Sequence, residues 1–150
     1  MSQLKTAKQC AKTMWAGDKA SRALGIKVEI REAGAATAYM RVREDMINGF
    51  DVCHGGLIFT LADTAFAFAC NAYDRVTFAA SASIEFVRPA QLGDKLSATA
   101  CEEHRGSRSG YYAVKVENDL GEVLALFRGR AVSRDQPVIA VKNDTDDIEK

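Results

Sequence analysis

Gly56-Leu57-Ile58-Phe59-Thr60-Leu61-Ala62-Asp63-Thr64-Ala65-Phe66-Ala67-Phe68-Ala69-Cys70-Asn71-Ala72-Tyr73 is the stretch on which the fold turns. Leu57, Ile58, Leu61, Ala65, Phe66, Phe68, Ala69 and Ala72 recur at helical spacing, and apolar side chains cover most of the circumference. A helix of that kind is buried on most sides. Its alanines at 62, 65, 67, 69 and 72 keep it thin and easy to pack closely. The run holds an acid, Asp63, and is too short to span a bilayer.

Outward from this helix, most of the chain has the period of strands. Ile26, Val28 and Ile30 alternate with Lys27, Glu29 and Arg31, and Gly34 makes a turn before an extended Tyr39–Arg43. Four further extended stretches follow: 76–88, closed by Pro89; 94–104, after the Gly93-Asp94 turn; 110–117; and Glu122–Ser133, after the turn Asn118-Asp119-Leu120-Gly121. Residues 3–24 read as helical, with Leu4, Ala7, Ala11, Met14 and Trp15 as the stripe and a break at Gly17-Asp18. The simplest way to bury the apolar helix is to curl one antiparallel sheet around it. The expected fold is therefore α+β: six antiparallel strands wrapped on a long central helix, with an N-terminal helix outside. So thin a sheet needs cover on its other side, and oligomerisation supplies it most simply. A short ordered segment is expected at Pro137–Val141, and a frayed acidic tail at Asn143–Lys150.

The 150 residues suit one domain, 1–150, with its core at about 10–135. Basic and acidic residues balance at 20 each, which speaks against a nucleic-acid binder. The start, Met1-Ser2-Gln3-Leu4-Lys5, lacks the pattern of a signal peptide, so a cytoplasmic protein without membrane attachment is expected. Cys10, Cys53, Cys70 and Cys101 show no CxxC spacing. The two histidines, His54 and His104, leave a zinc site short of ligands, so no metal is expected.

The residues that carry chemistry lie around the start of the apolar helix. Gly55-Gly56 at a helix N-terminus bares backbone N–H groups toward an anionic oxygen, although such a pair serves equally as a tight turn. Asp63 is costly in an apolar helix unless it is hydrogen-bonded or catalytic. A structural acid that caps a loop is the plainer reading, as a backbone-satisfied loop histidine is for His54. Gly55 and Asp63 lie eight residues apart, about 12 Å along a helix at about 1.5 Å per residue. One straight helix cannot bring both to the same carbon. A shared site needs Gly55 of one subunit to face Asp63 of another, with two-fold-related helices.

Asn48, His54-Gly55-Gly56 and Asp63-Thr64, at these spacings, resemble the signature of the hotdog-fold acyl-CoA thioesterases. The similarity includes Ala23-Leu24-Gly25-Ile26, Leu61–Ala67, Ala69-Cys70-Asn71, Phe86-Val87-Arg88-Pro89 and Ala125-Leu126-Phe127-Arg128-Gly129, and it covers about residues 10–133. The resemblance implies the hotdog fold and hydrolysis of an acyl-CoA thioester. The acyl group it implies is aromatic, of the phenylacetyl or hydroxyphenylacetyl type. It implies no cofactor, coenzyme A being part of the substrate. It also implies a homo-oligomer, with a dimer required for the site and a tetramer as dimer of dimers.

On that resemblance, the Gly55 N–H polarises the thioester carbonyl, and Asp63 is nucleophile or general base. Asn48 orients water or thioester across the interface, and His54 brackets the carbonyl or holds the loop. Thr64 touches the attacking water or the leaving thiol. Gly56 and Phe50 are further candidates on the substrate side, Phe50 as part of an acyl pocket. Arg88, Arg105 and Arg108 are candidates for the phosphates of coenzyme A. Two rivals share the fold: a non-catalytic acyl-CoA-binding or sensing protein, which would lack a reactive acid, and a hydratase or dehydratase, whose His–acid pair has a different spacing.

Overall fold

The computed structural model describes residues 2–139; the expected tail Asn143–Lys150 and the end of the Pro137–Val141 segment lie outside the described residues. The elements are α1 (Gln3–Gly17), α2 (Lys19–Ala23), β1 (Lys27–Glu32), β2 (Ala35–Arg41), α3 (Gly55–Cys70), β3 (Thr77–Phe86), β4 (Lys95–Arg105), β5 (Ser109–Glu117) and β6 (Val123–Ser133). A 3-10 turn at Glu44–Met46 leads toward α3. The six strands form one antiparallel sheet in the order β1-β2-β4-β5-β6-β3, and it curls around α3 as expected.

Two rows of facing residues explain the curl. Ile30, Ala36, Ala100, Val114, Phe127 and Ile84 lie side by side across all six strands, and so do Val28, Ala38, Ala98, Val116, Ala125 and Phe86. Alanines in β2 and β4 let α3 settle close to the sheet, while larger side chains on β5 and β6 fill the space where it bends away. This also corrects the second strand. It runs from Ala35 to Arg41 rather than Tyr39–Arg43, because Gly34, at φ +84°, reverses the chain at once. Ala35-Ala36-Thr37-Ala38 has weak strand propensity and is extended because small side chains are needed under α3.

The central helix likewise ends earlier than expected, at Cys70. The Asn71 side chain donates to the Ala67 and Thr77 carbonyls at 2.9 Å each and accepts from the Thr77 N–H at 2.8 Å, which turns the chain into β3. The break at Gly17-Asp18 is as expected: Asp18 caps α2 by accepting from the Ser21 N–H at 3.0 Å.

Gly129 on β6 faces α3 where a methyl group would stand 2.7 Å from Phe66 Cζ. Phe66 is itself held between Tyr112 and Phe127, with ring centroids 5.4 and 5.7 Å away. Gly129→Ala is expected to lose about 1–3 kcal/mol by overpacking, seen as a lower urea midpoint with an unchanged slope.

Candidate active site

The loop into α3 is fixed from both sides. The Cys53 N–H donates to the Ala90 carbonyl and the His54 N–H to the Met46 carbonyl, each at 2.8 Å. Within the loop, Asn48 Oδ1 accepts from the Phe50 N–H at 2.9 Å and from the Val52 N–H at 3.4 Å, while Asp51 takes φ +60°. His54 is the N-cap: its Nδ1 accepts from the Gly56 N–H at 3.2 Å, and its carbonyl accepts from Leu57 and Ile58. Of the two glycine N–H groups bared by the sequence, Gly56 is therefore engaged within the chain. Among the described residues no acceptor meets the Gly55 N–H.

Gly55 lines a cleft of about 270 Å³ with Cys53, Ile58, Phe86, Val87, Arg88 and Pro89. A Cβ at Gly55 would lie 3.1 Å from Phe86 Cζ, so any side chain here pushes into the cleft. The helix tip thus offers one backbone donor beside an apolar pocket walled by an aromatic ring. Cys53 lines the same cleft, yet burial pushes its thiol above the ordinary range, and the thiol donates to the His54 carbonyl. It is a poor thiolate at neutral pH.

From Ile58 to Cys70, the α3 positions left partly open are Phe59, Thr60, Asp63 and Ala67. Their spacing makes one stripe that the sheet and the N-terminal helices leave uncovered. Asp63 is half-buried on this stripe, and no donor among the described residues reaches its carboxylate. Burial pushes its carboxyl above the usual carboxylate range. The raised value means that the folded state prefers the proton. The stability it contributes is complete below the unfolded pKa and is lost as pH rises through the folded one. Asp63→Asn is therefore expected to be more stable than wild type at neutral pH, with the difference in denaturation midpoint closing in acid. Identical midpoints across that range would mean that the carboxylate is not desolvated.

The structure brings Gly55, Phe86 and Arg88 to one cleft, while Asp63 sits two turns further along α3. Arg88 is already ion-paired with Glu122 at 2.6 Å. Arg105 and Arg108 lie with the β4–β5 hairpin at the opposite end of α3. Arg105 stacks 3.6 Å over the Tyr73 ring and pairs with Glu102, which also accepts the Tyr73 and Tyr112 hydroxyls at 2.9 Å each; Arg108 pairs with Asp135. Phe50 is 89% exposed at the loop apex and lines no part of the cleft. Thr64 faces away from the stripe: its hydroxyl donates to the Thr60 carbonyl at 2.8 Å and lies 3.2 Å from Ser21 Oγ on α2.

Phe86 and Cys53 belong to the cleft without having been singled out from sequence. The alternation of Ile84 and Phe86 on one strand face was the signal available for Phe86. Among the described residues, no group of three or more His, Cys, Asp or Glu side chains could hold a metal ion, and no helix is long and apolar enough to cross a membrane.

The chain matches the family model described as Thioesterase superfamily over residues 50–125. Acyl-coenzyme A thioesterase PaaI of Escherichia coli (strain K12) is 42% identical over 123 residues, which are 82% of this chain and 88% of that protein. The solved structure of the E. coli PaaI protein from the phenylacetic acid degradation operon superposes with a TM-score of 0.89 at 39% identity, covering 91% of this chain and 99% of that one. A mutant of the phenylacetic acid degradation protein PaaI from Thermus thermophilus superposes with a TM-score of 0.74 at 34% identity, covering 77% and 98%.

Proposed function

The chain belongs to the thioesterase superfamily, and from that premise we propose that it hydrolyses acyl-CoA thioesters whose acyl group is aromatic, of the phenylacetyl or hydroxyphenylacetyl type. The observation that carries the reading is the pairing of an unengaged Gly55 N–H beside an apolar cleft with an acid held ready on an uncovered helix stripe. The similarity to PaaI supports coenzyme A as the leaving group. The Phe86 wall supports a flat acyl group, and so does the phenylacetic acid operon of the E. coli relative.

Both features are completed by a two-fold dimer. Midway between Gly55 and Asp63 along α3 lies Phe59, which is on the open stripe. A two-fold axis near it sets two antiparallel α3 helices so that each Gly55 meets Asp63 of the partner subunit. The small side chains of Thr60 and Ala67 allow close approach. The sheet edge supports the same pairing. β3 is an edge strand whose residues Phe78–Ser83 are all exposed, and it carries no lysine or proline to guard its hydrogen-bonding groups. The same antiparallel helices carry the Arg105 and Arg108 hairpin of the partner subunit toward the cleft mouth, where Arg88 already stands. Pairs of dimers then build a tetramer through the outer face of the sheet, where Tyr111 and Leu126 are exposed.

In the reaction, the thioester carbonyl accepts from the Gly55 N–H, the donor at which negative charge develops. Asp63 of the partner subunit takes a proton from water as the water oxygen attacks the carbonyl carbon, or its carboxylate attacks directly to give an acyl–Asp63 anhydride that water hydrolyses once the thiol has left. The C–S bond then breaks, and the thiolate is protonated as it leaves. Asn48 Oδ1 is engaged in the loop, and Nδ2, which no acceptor among the described residues meets, holds the water. A hydratase reading fares worse, because His54 Nδ1 is taken by the Gly56 N–H and no carboxylate among the described residues pairs with that imidazole.

The test is thiol release from a panel of acyl-CoAs. Aromatic acyl groups should exceed acetyl-CoA in kcat/KM by about ten-fold or more, the scale that a buried apolar group commands. Binding without hydrolysis across the panel would overturn the enzyme reading, and a preference for short chains would overturn the aromatic one.

A further inference from the structure

A second concavity, on the other side of the molecule, carries a different chemistry. It lies between α1 and β1, the sheet edge opposite β3, has a volume of about 420 Å³, and is lined by Lys8, Ala11, Lys12, Trp15, Lys27, Val28 and Phe68. Its floor is aromatic: the Trp15 and Phe68 rings stand 6.3 Å apart, with Trp15 partly open to the groove. Its rim is cationic. Lys8 and Lys12 lie one turn apart on α1, and Lys27 reaches the same mouth from β1. No carboxylate is among the lining residues, α1 contains no acid, and none of the three lysines is in an ion pair among the described residues. The Arg22 guanidinium adds a further cation 5.8 Å from the Trp15 ring.

Three like charges brought to one mouth from two elements repel one another unless an anion sits between them, and a cleft lined by one sign concentrates anions. The aromatic floor adds a face on which a planar ring can stack. A simple aryl carboxylate carries one charge and leaves two lysines unmatched. A nucleoside diphosphate carries roughly three negative charges together with a stacking base. We propose that this groove binds a nucleoside diphosphate, either free or as the nucleotide end of coenzyme A, at a site separate from the cleft at Gly55. The base stacks on Trp15, and the phosphates bridge Lys8, Lys12 and Lys27.

Trp15 is the only tryptophan of the chain, so its emission reports on this groove alone. The experiment titrates the full-length protein with ADP, coenzyme A, pyrophosphate and phenylacetate while following that emission, alongside Lys8→Gln/Lys12→Gln. Saturable quenching by ADP or coenzyme A, with affinity lowered about ten-fold or more in the double variant, supports the site. Quenching by both nucleotides points to the shared nucleotide end, and quenching by ADP alone to a free nucleotide. The double variant should keep its melting temperature and its thioester hydrolysis, so a failure here is distinct from a failure of the hydrolase reading. Four results overturn the proposal: no saturable change with either nucleotide, equal affinity for pyrophosphate or phenylacetate, unchanged affinity in the double variant, or emission that follows protein concentration instead of nucleotide. The last would mean that a second copy of the chain covers the groove.

Discussion

Asp63→Ala is expected to lower kcat for thioester hydrolysis by about 10²–10⁴-fold, the usual contribution of a positioned acid–base group. The loss should fall on turnover, because in the proposed reaction the carboxylate acts on water or the carbonyl carbon and does not hold the carrier end of the substrate. The fold should survive. Asp63 is half-buried on an open stripe, and no donor among the described residues depends on it, so truncation leaves no buried group unsatisfied. Removing a carboxylate whose ionisation is penalised by burial also removes a cost at neutral pH. Steady-state kinetics alongside sedimentation checks this. Full activity in a correctly assembled variant would end the role assigned to Asp63. The acid limb of the wild-type kcat profile should lie above the ordinary carboxylate range, in the direction of the Asp63 shift.

The second large effect is a recovery. Gly55→Arg fills the cleft, because even a methyl group at Gly55 presses on Phe86, and by itself it should be as inactive as Asp63→Ala. If the helix tip of one subunit works with the acid of the other, a hybrid of the two variants has one site with both defects and one with neither. Equal mixing gives hybrids in half of the dimers, so about a quarter of wild-type activity should return. Subunit exchange must be shown independently, for example by energy transfer between labelled subunits. Exchange without recovery would place Gly55 and Asp63 in separate roles.

The sequence made the architecture readable where one physical requirement dominated. The helix at 55–70 showed itself because its apolar circumference has no other use in a chain this size, and the strands showed themselves by alternation. The early limit of β2 was hidden because Ala35, Ala36 and Ala38 are poor strand formers, chosen by the closeness of α3. Around the site, residue types were readable but directions were not. Thr64 follows Asp63 in sequence, but successive helical side chains diverge by about 100°, and this hydroxyl turns toward Thr60 and Ser21. His54 is a polar residue beside the helix start, and nothing in its identity shows that its Nδ1 caps the helix by accepting from the Gly56 N–H. That Phe50 stands at the loop apex was not readable either, because it follows from the Asn48 turn and the left-handed Asp51. Arg105 is drawn onto Tyr73 and Glu102, the first of them far from it in sequence.

Asp18, Ser21 and Thr64 form a short polar chain, with the Ser21 hydroxyl 2.7 Å from Asp18 Oδ2 and 3.2 Å from Thr64 Oγ1. It rivets the junction of α1 and α2 to the residue after Asp63. Those two helices precede residue 50, where the match to the family model begins. A chain without its leading 24 residues would therefore lose the strut that holds the helical turn of Asp63. The leading 24 residues thus bracket the turn that carries Asp63, and on the role proposed for that acid their removal is expected to lower the rate of thioester hydrolysis.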